Sequence, residues 1–113
     1  YMLSGKLASE PAQAAESLLF DLQRRKWDKQ LIRSLGLSKK ILPRLKPAGS
    51  RLGKLTKDAA ANLGLDAGIP VAVGGPDTQC GLLGSGVAAP GQLGVIAGTT
   101  TPVQMVLDAP VFD

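Results

Sequence analysis

The chain has 113 residues, a formal net charge of +4, one cysteine and no histidine. Its length suits one small domain, and an apolar share of 44% is ordinary for a globular protein. The missing histidine and the single cysteine exclude Ser/His/Asp catalysis, an intrachain disulfide and a usual zinc site. No apolar run is long enough to span a membrane, so we expect a cytoplasmic protein without a membrane partner.

The charges are unevenly distributed along the sequence. Residues 1–57 contain all 13 basic residues and four of the nine acids, a net charge of +9. Such a basic surface could neutralise nucleic-acid phosphates, so nucleic-acid binding is one interpretation. However, the basic residues from Arg24 to Lys57 have a single aromatic residue, Trp27, between them, too few to stack on bases. A solvated basic face is the simpler interpretation, and we expect no nucleic-acid partner.

The chain opens with short helices and turns. Residues 1–5 are typical of the last turn of a helix that ends at Gly5. Pro11 suits the first turn of a second helix, which we expect to continue to Leu19. Asp28 is a candidate N-cap for the next helix, which ends at Gly36. That helix would carry Leu31, Ile32 and Leu35 on one apolar stripe, with Trp27 packed beside it.

The middle of the chain predicts turns and one further helix. Ser38 opens a short turn that Pro43 stops, and residues 47–50 form a loop by composition. Thr56 is the candidate N-cap of a helix that ends at Gly64.

From Ile69 onward the pattern is that of an α/β protein. Residues 69–73 are a continuous apolar run, which predicts a strand buried on both faces. Residues 77–86 predict a helix, although its glycines each lower helix propensity by about 1 kcal/mol relative to alanine. Those glycines indicate close backbone packing or a ligand. Residues 93–97 and 102–107 predict two strands of a hairpin.

Asp77 follows the predicted strand and the turn Gly74-Gly75-Pro76, at the start of a helix. Ligands of open α/β sheets bind beyond the carboxyl ends of strands, which makes Asp77 a candidate catalytic residue. Aspartate is also a common helix N-cap, which needs no catalytic role. Position alone does not decide between the two.

A second candidate site is the turn Gly98-Thr99-Thr100 of the predicted hairpin. Glycine lets backbone N–H groups approach a phosphate, and threonine hydroxyls can donate to its oxygens. The same composition is ordinary for a hairpin turn. The sequence has no GxxxxGK[ST] motif, so a P-loop is not predicted.

The sequence resembles the FGGY family of carbohydrate kinases in three stretches that follow the family's order. The first, YMLSGKLASEPAQAAESLLFDLQRRKWD, resembles a segment where Ser-Gly or Thr-Gly leads to Leu-Phe-Asp and Trp-Asp. The second, LPRLKPAGSRLGKLTKDAAANLGLDAGIPVAVGGPDTQCGLLGSG, resembles the segment that leads into the catalytic Gly-Xaa-Asp. The third, GQLGVIAGTT, resembles the segment that ends in Gly-Thr-Ser or Gly-Thr-Gly.

This resemblance implies an α/β fold, part of a ribonuclease-H-like (actin-like ATPase) domain with a mixed sheet and flanking helices. Residues 1–113 would be the later portion of the family's N-terminal domain, without the C-terminal nucleotide domain. The implied activity is ATP-dependent phosphorylation of a sugar or polyol hydroxyl, with this piece inactive by itself. A non-catalytic actin-like binding or regulatory module is the alternative.

The resemblance also implies roles for individual residues. Asp77 matches the catalytic carboxylate that takes the proton of the attacked hydroxyl and contacts the substrate. Gln79 is a candidate sugar contact, and Gly98 and Thr99 match a phosphate-contacting turn in which Thr100 replaces the usual Ser or Gly. The expected partners are ATP, Mg²⁺ and a small sugar or polyol; the metal ligands and homo-oligomerisation stay open. Cys80 is expected to be a small buried residue.

Overall fold

The computed structural model describes residues 1–111, which divide into two compact units. The first unit is Tyr1–Gly74, and the second begins at Gly75. Across the described residues, no helix has the length and apolar character needed to cross a bilayer.

The first unit contains three short α-helices, a 3-10 helix and two antiparallel strand pairs. Strand β1 pairs with β2, and β3 pairs with β4. In chain order the elements are α1 (Pro11–Glu16), β1 (Phe20–Asp21), β2 (Lys26–Trp27), α2 (Lys29–Ser34), the 3-10 helix (Lys39–Ile41), β3 (Arg51–Lys54), α3 (Lys57–Leu63) and β4 (Pro70–Ala72).

The second unit is a helix followed by a hairpin. It consists of α4 (Asp77–Gly84), β5 (Leu93–Val95) and β6 (Val103–Met105), and the two strands are antiparallel. The hairpin was predicted, although both strands are shorter than expected. Helices and strands are interspersed along the chain, which agrees with a fold of mixed α and β structure.

The strands are arranged differently from the single mixed sheet that was expected. The described strands form three separate antiparallel pairs, and one isolated parallel bridge joins Ser9 to Leu45. Antiparallel and parallel pairing are therefore both present, but at separate places in the structure and not within one sheet. Strands β1, β2 and β3 have no counterpart in the sequence prediction, because two to four residues leave little periodicity to detect.

The predicted helix caps are formed by the expected side chains. Asp28 Oδ1 accepts hydrogen bonds from the backbone N–H groups of Gln30 and Leu31, both at 2.9 Å. Thr56 Oγ1 accepts a hydrogen bond from Ala59 N at 3.2 Å. Each bond satisfies an N–H group that has no partner inside its helix, so these caps fix where the helices start.

Helix α3 supplies most of a small core in the first unit. Leu55, Ala59 and Ala60 are buried together, and Val71 of β4 packs against them. We predicted that this strand is buried on both faces, but Pro70 and Ala72 of β4 are exposed. The reason is that β4 pairs with β3 alone and presents only Val71 to α3.

Trp27 contacts Phe20 and Pro43, which both lie outside α2. Its Nε1–H donates to the carbonyl of Pro43 at 2.8 Å, and its ring meets Phe20 edge-on with 6.4 Å between the ring centroids. Of the predicted stripe only Ile32 is buried, whereas Leu31 and Leu35 are exposed. This six-residue helix therefore buries one side chain, that of Ile32, and not the predicted apolar stripe.

Candidate active site

The start of helix α4 places Asp77 in solvent. Pro76 is the N-cap and makes no side-chain cap hydrogen bond, so Asp77 is the first helical residue rather than the cap. Asp77 Oδ1 accepts hydrogen bonds from Thr78 N at 2.7 Å and Thr78 Oγ1 at 3.3 Å. Within residues 1–111, Asp77 Oδ2 accepts no hydrogen bond. The carboxylate thus has one oxygen held by its neighbour and one oxygen available to a ligand.

Helix α4 packs on strand β5 through two glycines. A Cβ at Gly81 would lie 3.3 Å from Ile96 Cδ1, and a Cβ at Gly94 would overlap Leu82 Cδ2 and lie 3.3 Å from Val87 Cγ2. Leu82 is the buried residue of the helix. The predicted close packing is therefore present at these two glycines, which let the helix that begins with Asp77 lie against the hairpin.

We expect Gly94→Ala to destabilise the protein by about 1–3 kcal/mol, because the added methyl group must displace Leu82. Gly84→Ala is the matched control. Nothing lies within 4 Å of a Cβ at Gly84, so there the alanine should stabilise the helix by about 0.5–1 kcal/mol. Urea unfolding of both variants measures the difference. Equal effects of the two substitutions would contradict the packing described.

The turn between β5 and β6 carries the second set of predicted residues. The Gly98 N–H donates to the carbonyl of Thr100 at 3.1 Å, and Ile96 N donates to the carbonyl of Pro102 at 3.2 Å. The N–H group of Gly98 thus already has a hydrogen-bond acceptor within the turn. In the described part of the chain, the N–H and hydroxyl groups of Thr99 and Thr100 make no hydrogen bond, and both residues are exposed. Their donors are the ones available to an anionic oxygen.

The structure does not place every predicted residue in one cavity. Asp77, Gln79 and the turn Gly98-Thr100 all belong to the second unit. Gln79 lines a cavity of about 200 Å³ together with Leu82, Val87 and residues 104–106. Asp77 and the turn residues are not among the described residues that line this cavity. Gln79 is therefore placed beside β6, apart from the exposed carboxylate.

Two further expectations concern cysteine and metal. Cys80 was predicted to be buried, but it is exposed, because its position on α4 turns away from the side that Leu82 packs on the hairpin. Residues 1–111 contain no group of three or more His, Cys, Asp or Glu side chains that could hold a metal ion.

Comparison with known proteins identifies relatives along the whole chain. The model of the family described as "FGGY family of carbohydrate kinases, N-terminal domain" matches residues 1–84. The chain is 43% identical over 113 residues to the autoinducer-2 kinase of Salmonella typhimurium. It is 45% identical over the same length to the autoinducer-2 kinase of Escherichia coli K12. Each match covers 100% of this chain and 21% of the relative.

Solved structures agree in fold. The xylulose kinase of Lactobacillus acidophilus aligns with 98% of this chain at a TM-score of 0.90 and 22% identity. The gluconate kinase of the same organism aligns with 99% at a TM-score of 0.91, also at 22% identity. This chain covers 23% of either structure. The predicted actin-like ATPase fold of sugar kinases is confirmed. The chain spans about a fifth of the length of these curated relatives. Because the family model matches residues 1–84, the chain belongs to the FGGY family of carbohydrate kinases.

Proposed function

We propose that the protein containing this chain transfers a phosphoryl group from ATP to a hydroxyl of a sugar or polyol. The observation that carries the proposal is the identity of 43–45% over the whole chain to proteins named as kinases. We further propose that residues 1–113 are the later portion of the N-terminal domain, with the nucleotide domain elsewhere in the protein. A cytoplasmic location belongs to the same proposal, because ATP is the donor.

Asp77 is proposed as the general base. Its exposed Oδ2 would accept the proton of the attacked hydroxyl while Thr78 holds Oδ1 in place. Phosphoryl transfer depends mainly on positioning and on stabilising charge, and a carboxylate beside the acceptor also orients the attacking oxygen.

The turn Gly98-Thr99-Thr100 is proposed to contact the phosphates of ATP. N–H and hydroxyl donors at Thr99 and Thr100 that have no partner within residues 1–111 suit anionic oxygens, and Gly98 adds no side chain to obstruct their approach. Mg²⁺ would supply positive charge beside those phosphates. The phosphates of the nucleotide would supply part of its ligands.

Autoinducer-2 is the proposed acceptor to test first. Its named kinases are 43–45% identical to this chain, whereas the xylulose and gluconate kinases with matching folds are 22% identical. Gln79 is proposed as a sugar contact, although it lies on a cavity without Asp77. A KM for the acceptor that rises in Gln79→Ala with kcat unchanged would support this contact.

The function is tested by acceptor-dependent ADP release from the full-length protein. The panel contains autoinducer-2, xylulose and gluconate, each with ATP and magnesium. We expect turnover with at least one acceptor and the highest kcat/KM with autoinducer-2. No turnover with any acceptor, from a protein that binds ATP, would favour the alternative of a non-catalytic actin-like module. The exposed Asp77 carboxylate, which such a module would not need, argues against that alternative.

Thr99→Val is expected to raise the KM for ATP by about tenfold or more, with little change in the acceptor KM. The substitution removes one hydroxyl donor to a phosphate oxygen, and a hydrogen bond to a charged group is worth about 1.5–3 kcal/mol. Thr99→Ser keeps the hydroxyl and is the control. Steady-state kinetics of both variants would separate them, and unchanged ATP kinetics in Thr99→Val would show that the turn is structural.

A further inference from the structure

A groove in the first unit is lined by five basic side chains. They come from three separate segments of the chain, which meet beside strand β3 around an open groove of about 520 Å³. The basic residues are Lys6, Arg44, Lys46, Arg51 and Lys54. We call this set the basic groove. It contains none of the residues assigned to catalysis.

The charge of the basic groove is not balanced by nearby acids. No acidic residue is among the described residues that line it. The salt bridge formed within residues 1–111 joins Arg24 to Asp21, neither of which lies in the groove. The five positive charges of the basic groove repel one another. A multiply charged anion would relieve this repulsion, so the groove attracts such an anion.

The groove is built into the fold rather than assembled from loose side chains. A Cβ at Gly53 of β3 would lie only 3.1 Å from Ser4 Cβ and 3.3 Å from Lys6 Cδ, so the strand lies directly against residues 4–6. Lys46 Nζ donates to the backbone carbonyl of Arg51 at 2.6 Å, which fixes the half-buried lysine against the same strand. An irregular register between Arg51 and Gly53 marks a bulge at this point. The three segments are therefore held in contact.

The groove also contains a hydroxyl donor. Ser4 is a buried polar residue with 9% of its surface exposed, and its Oγ accepts a hydrogen bond from Lys6 N at 3.4 Å. The hydroxyl proton of Ser4 is donated to no acceptor in the described part of the chain. Two arginine forks, three ammonium groups and this hydroxyl together match the oxygens of phosphate groups.

We propose that the basic groove binds a small molecule that carries two or more phosphate groups. Its volume suits a small ligand, since such pockets typically hold about 300–1,000 Å³. Nucleic acid suits it less well, because no aromatic side chain on which a base could stack is among the described lining residues. This inference goes beyond the proposed kinase activity and does not depend on it.

The test is calorimetric titration of the full-length protein with pyrophosphate, inorganic phosphate, a sugar bisphosphate and a single-stranded oligonucleotide. We expect pyrophosphate to bind about tenfold or more tightly than inorganic phosphate, because one more phosphate group engages more of the five cations. The affinity should fall as salt is raised. If a sugar bisphosphate binds more tightly than pyrophosphate, the ligand of the groove is an organic phosphate and not inorganic pyrophosphate.

Charge-removing variants locate the binding. Arg51→Gln combined with Lys54→Gln should weaken pyrophosphate binding by about tenfold or more. Lys39→Gln combined with Lys40→Gln removes the same charge from exposed residues outside the groove and should change affinity by less than about twofold. Arg44→Gln replaces the double variant if circular dichroism shows that the latter is unfolded. Equal losses in the groove and control variants, or tighter binding of the oligonucleotide than of pyrophosphate, would overturn the proposal.

Discussion

Replacing Asp77 with asparagine is expected to lower kcat of the full-length protein by about 100-fold or more, the usual scale for loss of a general base. Asparagine has nearly the same shape and can still accept a hydrogen bond from Thr78, so α4 should keep its start. The acceptor KM should change little, because the missing function is proton acceptance in the transition state. Steady-state kinetics with saturating ATP measures both constants.

Asp66→Asn is the matched control for this prediction. Asp66 is an exposed aspartate of the first unit and has no assigned role, so its replacement removes the same charge without touching the proposed site. It should leave kcat within about twofold of the unmodified protein, as exposed substitutions away from a site usually do. Near-normal turnover in Asp77→Asn would remove Asp77 from the mechanism.

The 113-residue chain by itself is expected to release no ADP above the blank when supplied with ATP, magnesium and the acceptor panel. Its relatives are about five times longer, since the chain covers 21% of them. Holding donor and acceptor together can contribute about 7–11 kcal/mol of the barrier, and this contribution requires both substrates to be bound. Acceptor-dependent ADP release by a monodisperse sample of this chain would contradict the expectation.

The same chain is expected to self-associate. The pairing of Leu93 with Met105 and of Val95 with Val103 places four apolar side chains on one side of the hairpin. Each of them has more than half of its surface exposed. Exposed apolar patches on strand pairs favour association, so light scattering should report species larger than a monomer. Val103→Lys should reduce this association by placing a charge in the patch.

The parts of the fold that were predicted correctly are those fixed by local chemistry. Asp28 and Thr56 cap their helices through hydrogen bonds to residues two or three positions further on, so the sequence alone contains the signal. Strand β3 was missed because its pairing with β4 joins residues almost twenty positions apart, and its sequence, Arg51-Leu52-Gly53-Lys54, shows no strong alternation. The hydrogen bond from Trp27 to Pro43 could not be predicted for the same reason, since the two residues are 16 positions apart.

The site roles of Asp77 and the turn Gly98-Thr100 stay predictions from the sequence. The sequence could not show that Pro76 takes the cap position and leaves Asp77 exposed. It also gave no indication that Gln79 lines a cavity that Asp77 does not line. The basic groove had one signal, the accumulation of positive charge in residues 1–57, but charge alone does not show which residues meet in space.

The positions of Trp27 and Cys80 make the two units separately observable. The chain has one tryptophan and one cysteine, and they lie in different units. Indole fluorescence should therefore follow unfolding of the first unit alone, because loss of the contacts to Phe20 and Pro43 exposes the ring to water. A dye attached to the exposed thiol of Cys80 would label the second unit at a single point. Energy transfer from the indole to that dye would then report, in solution, the distance between these two points of the 113-residue chain.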